Sequence, residues 1–84
     1  MAEHSLTLIG RSGCHLCDDA RVVVTSVLAE LRDLPGTRVL TEIDIDIDPD
    51  AQRMYSDQIP VLLIDGQVHN FWRIDRHRLM RALS

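Results

Sequence analysis

Cys14 and Cys17 stand three positions apart in the stretch Arg11-Ser12-Gly13-Cys14-His15-Leu16-Cys17. On a helix that spacing is nearly one turn, so both thiols share a face and sit close enough to exchange a disulfide. The stretch follows a strand-like segment and opens a helix-like one, which is the context that makes such a pair a redox signal. Cys14 falls at the helix N-terminus, where unpaired backbone N–H groups and the positive end of the dipole favour an anion. It is therefore the expected attacking nucleophile. Cys17, further in and less exposed, is the expected resolving thiol, displacing a partner from a mixed disulfide on Cys14.

The neighbours of the pair pull in different directions. Arg11 adds positive charge, whereas Asp18 and Asp19 suit the helix dipole but oppose a thiolate at short range. A protonated His15 would favour the thiolate or weaken the disulfide; the bland alternative is an exposed helix-start residue. The same two cysteines could also be inert buried thiols or half of a zinc or iron–sulfur site. Zinc wants about four ligands, and no second cysteine pair occurs, while His4, His69 and His77 lack ligand-like spacing. A metal would thus need a second chain or glutathione to complete its shell. No resident metal or organic cofactor is expected for the redox reading.

The elements that must position this pair are legible from periodicity. Ser5 to Ile9 alternates as a strand and stops at Gly10-Arg11-Ser12-Gly13. Leu16, Ala20, Val23, Val24, Val27, Leu28, Leu31 and Leu34 form the stripe of an amphipathic helix, expected to run to Pro35-Gly36. Thr37 to Asp48 reads as a second strand with Val39, Thr41, Ile43, Ile45 and Ile47 on one side. Asp48-Pro49 starts a short helix to about Tyr55. Val61 to Ile64 is a buried strand, Asp65-Gly66 a hairpin turn, and Gln67 to Asn70 its partner. Asp75 caps a last helix with Leu79, Met80 and Leu83 on one side and Arg76, Arg78 and Arg81 on the solvated other. Phe71 and Trp72 are expected to pack under that helix. The order is βαβαββα, an α/β fold forming one small domain over residues 1–84.

Composition narrows the function. Nine arginines and no lysine stand against 13 acidic residues, a net charge of −4 over 84 residues. Such a surface lacks the positive stripe that nucleic acid or an anionic membrane requires. No apolar run approaches membrane-helix length, and Met1-Ala2-Glu3-His4 lacks the basic and apolar blocks of a signal peptide, so a cytoplasmic location is expected. The ladder Asp44, Asp46, Asp48, Asp50 resembles a calcium loop only superficially. Pro49 stands where that loop needs glycine and Tyr55 where it needs glutamate.

Gly13-Cys14-His15-Leu16-Cys17 after a strand, Asp48-Pro49 opening a short helix, and Tyr55 before Ile59-Pro60-Val61 together resemble the glutaredoxin-like proteins of the thioredoxin superfamily. The likeness is to their small branch with a Cys-His-Leu-Cys site and spans essentially the whole chain. It implies a four-stranded mixed sheet flanked by helices and a thiol–disulfide oxidoreductase acting in cell redox homeostasis. It also implies that Pro60 is cis beside the redox site, that the backbone of Ile59 pairs with substrate, and that Arg11 lies where a basic residue often meets the glutathione carboxylate. Arg73 is a further candidate for that carboxylate. Familiar glutaredoxins carry Cys-Pro-Tyr-Cys and a Gly-Gly element after the last strand. This chain has His15-Leu16 and Asn70-Phe71-Trp72-Arg73-Ile74-Asp75 instead. The expected partners are protein or small-molecule disulfides, with glutathione or a thioredoxin-reductase-like flavoenzyme as reductant. A monomer is expected. The competing readings are a metal-binding module bridging two chains and a non-catalytic adaptor using the Trp72 surface.

Overall fold

In the computed structural model, which describes residues 3–84, the strand alternation at the start of the chain becomes β1 (Glu3–Gly10). Met1 and Ala2, part of the stretch read above as free of targeting blocks, lie outside the described residues. The remaining elements are α1 (His15–Glu30), β2 (Thr37–Asp44), α2 (Pro49–Tyr55), β3 (Val61–Ile64), β4 (Gln67–Phe71) and α3 (Arg76–Leu83). This is the expected βαβαββα order. The four strands lie in the order β2-β1-β3-β4. β1 runs parallel to β2 and antiparallel to β3, and β3 pairs antiparallel with β4.

Because β1 and β3 are central strands, both of their faces must be covered, and alternate residues feed two cores. On one face Leu6 and Leu62 meet Val24, Val27 and Leu31 from α1 and its end and Leu79 and Leu83 from α3. On the other, Ile9 and Val61 meet Ile45 and Ala51, with Tyr55 and Ile59 packed alongside. Each fully buried leucine of the first core contributes about 1.5–3 kcal/mol relative to exposure.

Local chemistry sets the boundaries. Asp48 accepts from the Ala51 N–H at 3.1 Å and Pro49 occupies the first helical position of α2. Asp75 likewise accepts from the Arg78 N–H at 3.0 Å to start α3. The β3–β4 turn places Asp65 at φ 52° and Gly66 at φ 84°, the left-handed pair that a two-residue hairpin demands. Asp65 also ties the turn to β1, accepting from the Ser5 N–H and meeting His4 Nδ1, both at 2.9 Å. These bonds, Ser5 first, hold its carboxyl below the usual aspartate range.

Several expectations need correction. α1 stops at Glu30 rather than Pro35, and the chain leaves it through tight turns, the Ala29 carbonyl accepting at 3.4 Å from the N–H of Arg32 and the Leu31 carbonyl at 3.0 Å from that of Leu34. The Leu34 side chain is exposed and joins no core. β2 ends at Asp44 rather than Asp48, because the Asp44 carboxylate accepts the Asp46 N–H at 2.8 Å and the chain coils back. The expected single apolar side of β2 therefore breaks up: Ile45 is buried, while Val39 on the sheet edge and Ile47 in the turn are exposed. Arg76 is not merely solvated. It donates to Ser26 Oγ at 2.8 Å and pairs with Glu30, joining α3 to α1. Among the described residues no helix is long and apolar enough to cross a membrane.

These contacts rank two substitutions. Asp75→Ala should cost about 1 kcal/mol through the lost cap, and Leu79→Ala about 2–5 kcal/mol through the cavity it leaves. Urea denaturation at fixed pH reads both; a smaller loss for Leu79→Ala than for Asp75→Ala would contradict the packing of α3.

Candidate active site

The turn from β1 into α1 is built around sulfur. A Cβ placed on Gly10 would lie 3.0 Å from Cys17 Sγ and 3.2 Å from its Cβ, so glycine is what lets the strand end approach this thiol. Gly13, at φ 77°, then takes the left-handed conformation that reverses the chain ahead of the helix. Cys14 follows in an extended conformation as the N-cap of α1, and its Sγ accepts the Cys17 N–H at 3.2 Å. A sulfur thus occupies the place that serine or aspartate usually fills.

Both cysteines are free thiols, Cys14 half-buried and Cys17 buried. Burial pushes the Cys17 thiol up to about 11, helped by its contact with Cys14 and the negative charge of Asp18, while the facing Arg11 backbone N–H acts the other way. Cys17 therefore stays protonated at neutral pH. The two thiols are unequal: a half-buried sulfur held in a cap, and a buried one behind it.

The charges around the pair are arranged differently from the bare sequence. Arg11, expected as a free positive charge, has its Nε 3.3 Å from Asp46 Oδ1. It still borders Cys17, sharing with Gly10, Ser12 and Arg21 a hollow of about 140 Å³. Asp18 is paired with Arg21 at 3.0 Å, and Arg21 also reaches Glu42 at 2.6 Å, while the Asp18 charge still acts on Cys17. His15 is exposed at the first position of α1. The acidic ladder has structural duties: Asp44 makes a turn, Asp46 pairs with Arg11, Asp48 caps α2 and Asp50 pairs with Arg53. Among the described residues no group of three or more His, Cys, Asp or Glu could hold a metal ion.

Pro60 is cis and fully buried. Its carbonyl accepts the Trp72 N–H at 2.8 Å. Ile59 packs on the second core, and among the described residues its backbone N–H and C=O have no hydrogen-bond partner. Leu16, between the two cysteines, meets Ile59, Phe71, Trp72 and Arg73 around a groove of about 540 Å³. Leu16 of the Cys14–Cys17 stretch and Ile59 thus border one groove.

Phe71 and Trp72 do not pack under α3 as expected; they are 40% and 53% exposed. Trp72 adopts φ 64°, a left-handed conformation, and its indole N–H donates to the Asp57 carbonyl at 3.3 Å. The rings meet edge to face with centroids 5.0 Å apart.

Residues 5–84 match the family described as Glutaredoxin-like domain. The chain belongs to that family. This glutaredoxin-like protein is 36% identical over 89 residues to an uncharacterized protein of Mycobacterium tuberculosis, an alignment covering 100% of the chain and 87% of the relative. It resembles the solved structural-genomics target XcR50 of X. campestris with a TM-score of 0.63 and 33% identity, covering 93% of each chain. Chloroplastic thioredoxin z superposes with a TM-score of 0.72 at 17% identity, covering 96% of this chain and 75% of that one. That last likeness shows the thioredoxin-type fold.

The unequal thiols have a direct readout. Iodoacetamide at neutral pH should add a single label, on Cys14, with Cys17 labelled only after unfolding. Because the Cys17 thiol is raised from 9.0 to about 11, its contribution to the stability of the reduced protein is complete below pH 9 and lost towards pH 11. Thermal melts of reduced protein across that range should fall more steeply than those of Cys17→Ala; parallel curves would contradict the assignment.

Proposed function

We propose that this glutaredoxin-like protein is a dithiol–disulfide oxidoreductase, with Cys14 as nucleophile and Cys17 as resolving thiol. The observation that carries this reading is the half-buried Cys14 Sγ in the N-cap of α1, accepting the Cys17 N–H at 3.2 Å, with the protonated Cys17 thiol behind it. The amide and the positive end of the helix favour negative charge on that sulfur.

The Cys14 thiolate attacks one sulfur of a substrate disulfide. A Cys14–substrate bond forms, the substrate S–S bond breaks, and the departing sulfur leaves as a thiolate that takes up a proton. Cys17 then gives up its proton and attacks Cys14 Sγ, forming the Cys14–Cys17 disulfide and releasing the second substrate thiol. Two electrons pass from the cysteine pair to the substrate. The pair is re-reduced by an external dithiol of a flavoenzyme or by glutathione thiols, and the cycle uses no resident metal or organic cofactor. It suits a reducing compartment such as the cytoplasm and a monomeric chain.

Substrate binding draws on the surrounding residues. The open N–H and C=O of Ile59 supply main-chain hydrogen bonds to an extended substrate. Pro60, buried and bonded to Trp72, holds that corner in place. His15 stands exposed at the start of α1 and adds positive charge when protonated, and Arg11, anchored on Asp46, borders the thiols.

Two variants separate the roles. Cys14→Ser should lose reduction of a disulfide-containing peptide to the uncatalysed background. Cys17→Ser should attack once and accumulate a mixed disulfide on Cys14, visible as a mass increase equal to the bound substrate thiol. Retained turnover in Cys14→Ser would overturn the proposal.

A further inference from the structure

We propose that Arg73 is a specificity-determining residue that selects protein disulfides flanked by an acidic side chain. The inference rests on the oxidoreductase reading above and adds the substrate class.

The groove that meets the redox turn has three features that define its occupant. Its walls are Leu16, Ile59, Phe71 and Trp72, an apolar surface reaching from between the cysteines to the end of β4. The aromatic wall is held in advance: Trp72 is anchored through its backbone N–H to Pro60 and its indole N–H to Asp57, and Phe71 stands edge-on against it. Binding therefore requires little ordering of that wall. Ile59 contributes an unpaired backbone donor and acceptor at the same groove. A donor and an acceptor on one residue are matched by an extended polypeptide, which presents both at strand spacing.

Arg73 adds the charge. It lines the groove, and among the described residues it has no carboxylate within ion-pair distance; Arg32, Arg38, Arg78 and Arg81 also lack one but do not line the groove, whereas Arg11, Arg21, Arg53 and Arg76 are paired. Asp19 shares the adjoining hollow of about 140 Å³ with Arg73, Leu16 and Trp72 without forming an ion pair. On a chain of net charge −4, acidic segments are repelled over most of the surface. Here they meet an unpaired guanidinium beside apolar walls, where an incoming carboxylate gains a charge-assisted hydrogen bond. The groove thus fits a segment with an apolar residue against Trp72 and a carboxylate against Arg73.

The test is single-turnover reduction by the fully reduced protein, which needs no external reductant. Three peptides with the same internal disulfide carry Glu, Gln or Arg beside the attacked cysteine, and glutathione disulfide is the fourth substrate. Expected second-order rates fall from Glu to Gln to Arg by about fivefold per step at low salt and converge at high salt. Arg73→Glu should invert the order among the three peptides and Arg73→Gln flatten it. A structural role alone would slow all three peptides equally. Equal rates on all peptides with the unaltered protein would overturn the inference while leaving the oxidoreductase reading standing, and no reduction of any substrate would overturn both. A rate change in Arg73→Glu confined to glutathione disulfide would also overturn it, by assigning the guanidinium to that small carboxylate.

Discussion

The packing of Cys17 Sγ against the backbone of Gly10 governs how β1 hands the chain to α1. With no side chain on Gly10, the buried thiol lies directly on the strand end, and α1 can begin only a few residues beyond it. The turn through Gly13 then delivers Cys14 to the helix mouth, where its sulfur receives the Cys17 amide. One close contact therefore sets the depth of one thiol and the exposure of the other. The chemical inequality of the cysteines follows from packing, with hydrogen bonding and charge adding to it.

Charge is managed locally rather than by the net balance of the chain. Arg21 spans Asp18 on α1 and Glu42 on β2, and Arg11 reaches across to Asp46 in the turn after β2. Each such exposed pair is worth only about 0–1 kcal/mol in stability. Their larger effect is on the field around the thiols: Asp18 and Asp46 are each engaged by a guanidinium group. Arg73, at the groove, has no carboxylate partner among the described residues.

Features governed by residues close in sequence were legible beforehand. The Cys14 cap, the Asp48-Pro49 and Asp75 helix starts and the Asp65-Gly66 turn each depend on a few neighbouring residues whose side chains act on nearby backbone. The βαβαββα order followed from their sum. What escaped depended on tertiary position. The apolar residues of Thr37 to Asp48 promised one buried side, but β2 lies at the sheet edge and coils back through the Asp44 turn, leaving Val39 and Ile47 in solvent. Arg76 looked like a solvated charge because Ser26 and Glu30, its partners, lie far back along the chain. Trp72 looked like core because nothing local announces a tryptophan in a left-handed conformation, held by carbonyls at Pro60 and Asp57.

The larger core draws Leu79 and Leu83, both with no exposed surface, from α3, the last element of the fold. During synthesis β1, α1 and the β3–β4 hairpin emerge first, each presenting an apolar face that α3 will later cover. The sheet is not sealed on that side until α3 docks, so loss of this one short helix would bare Leu6, Leu62 and the inner face of α1 together.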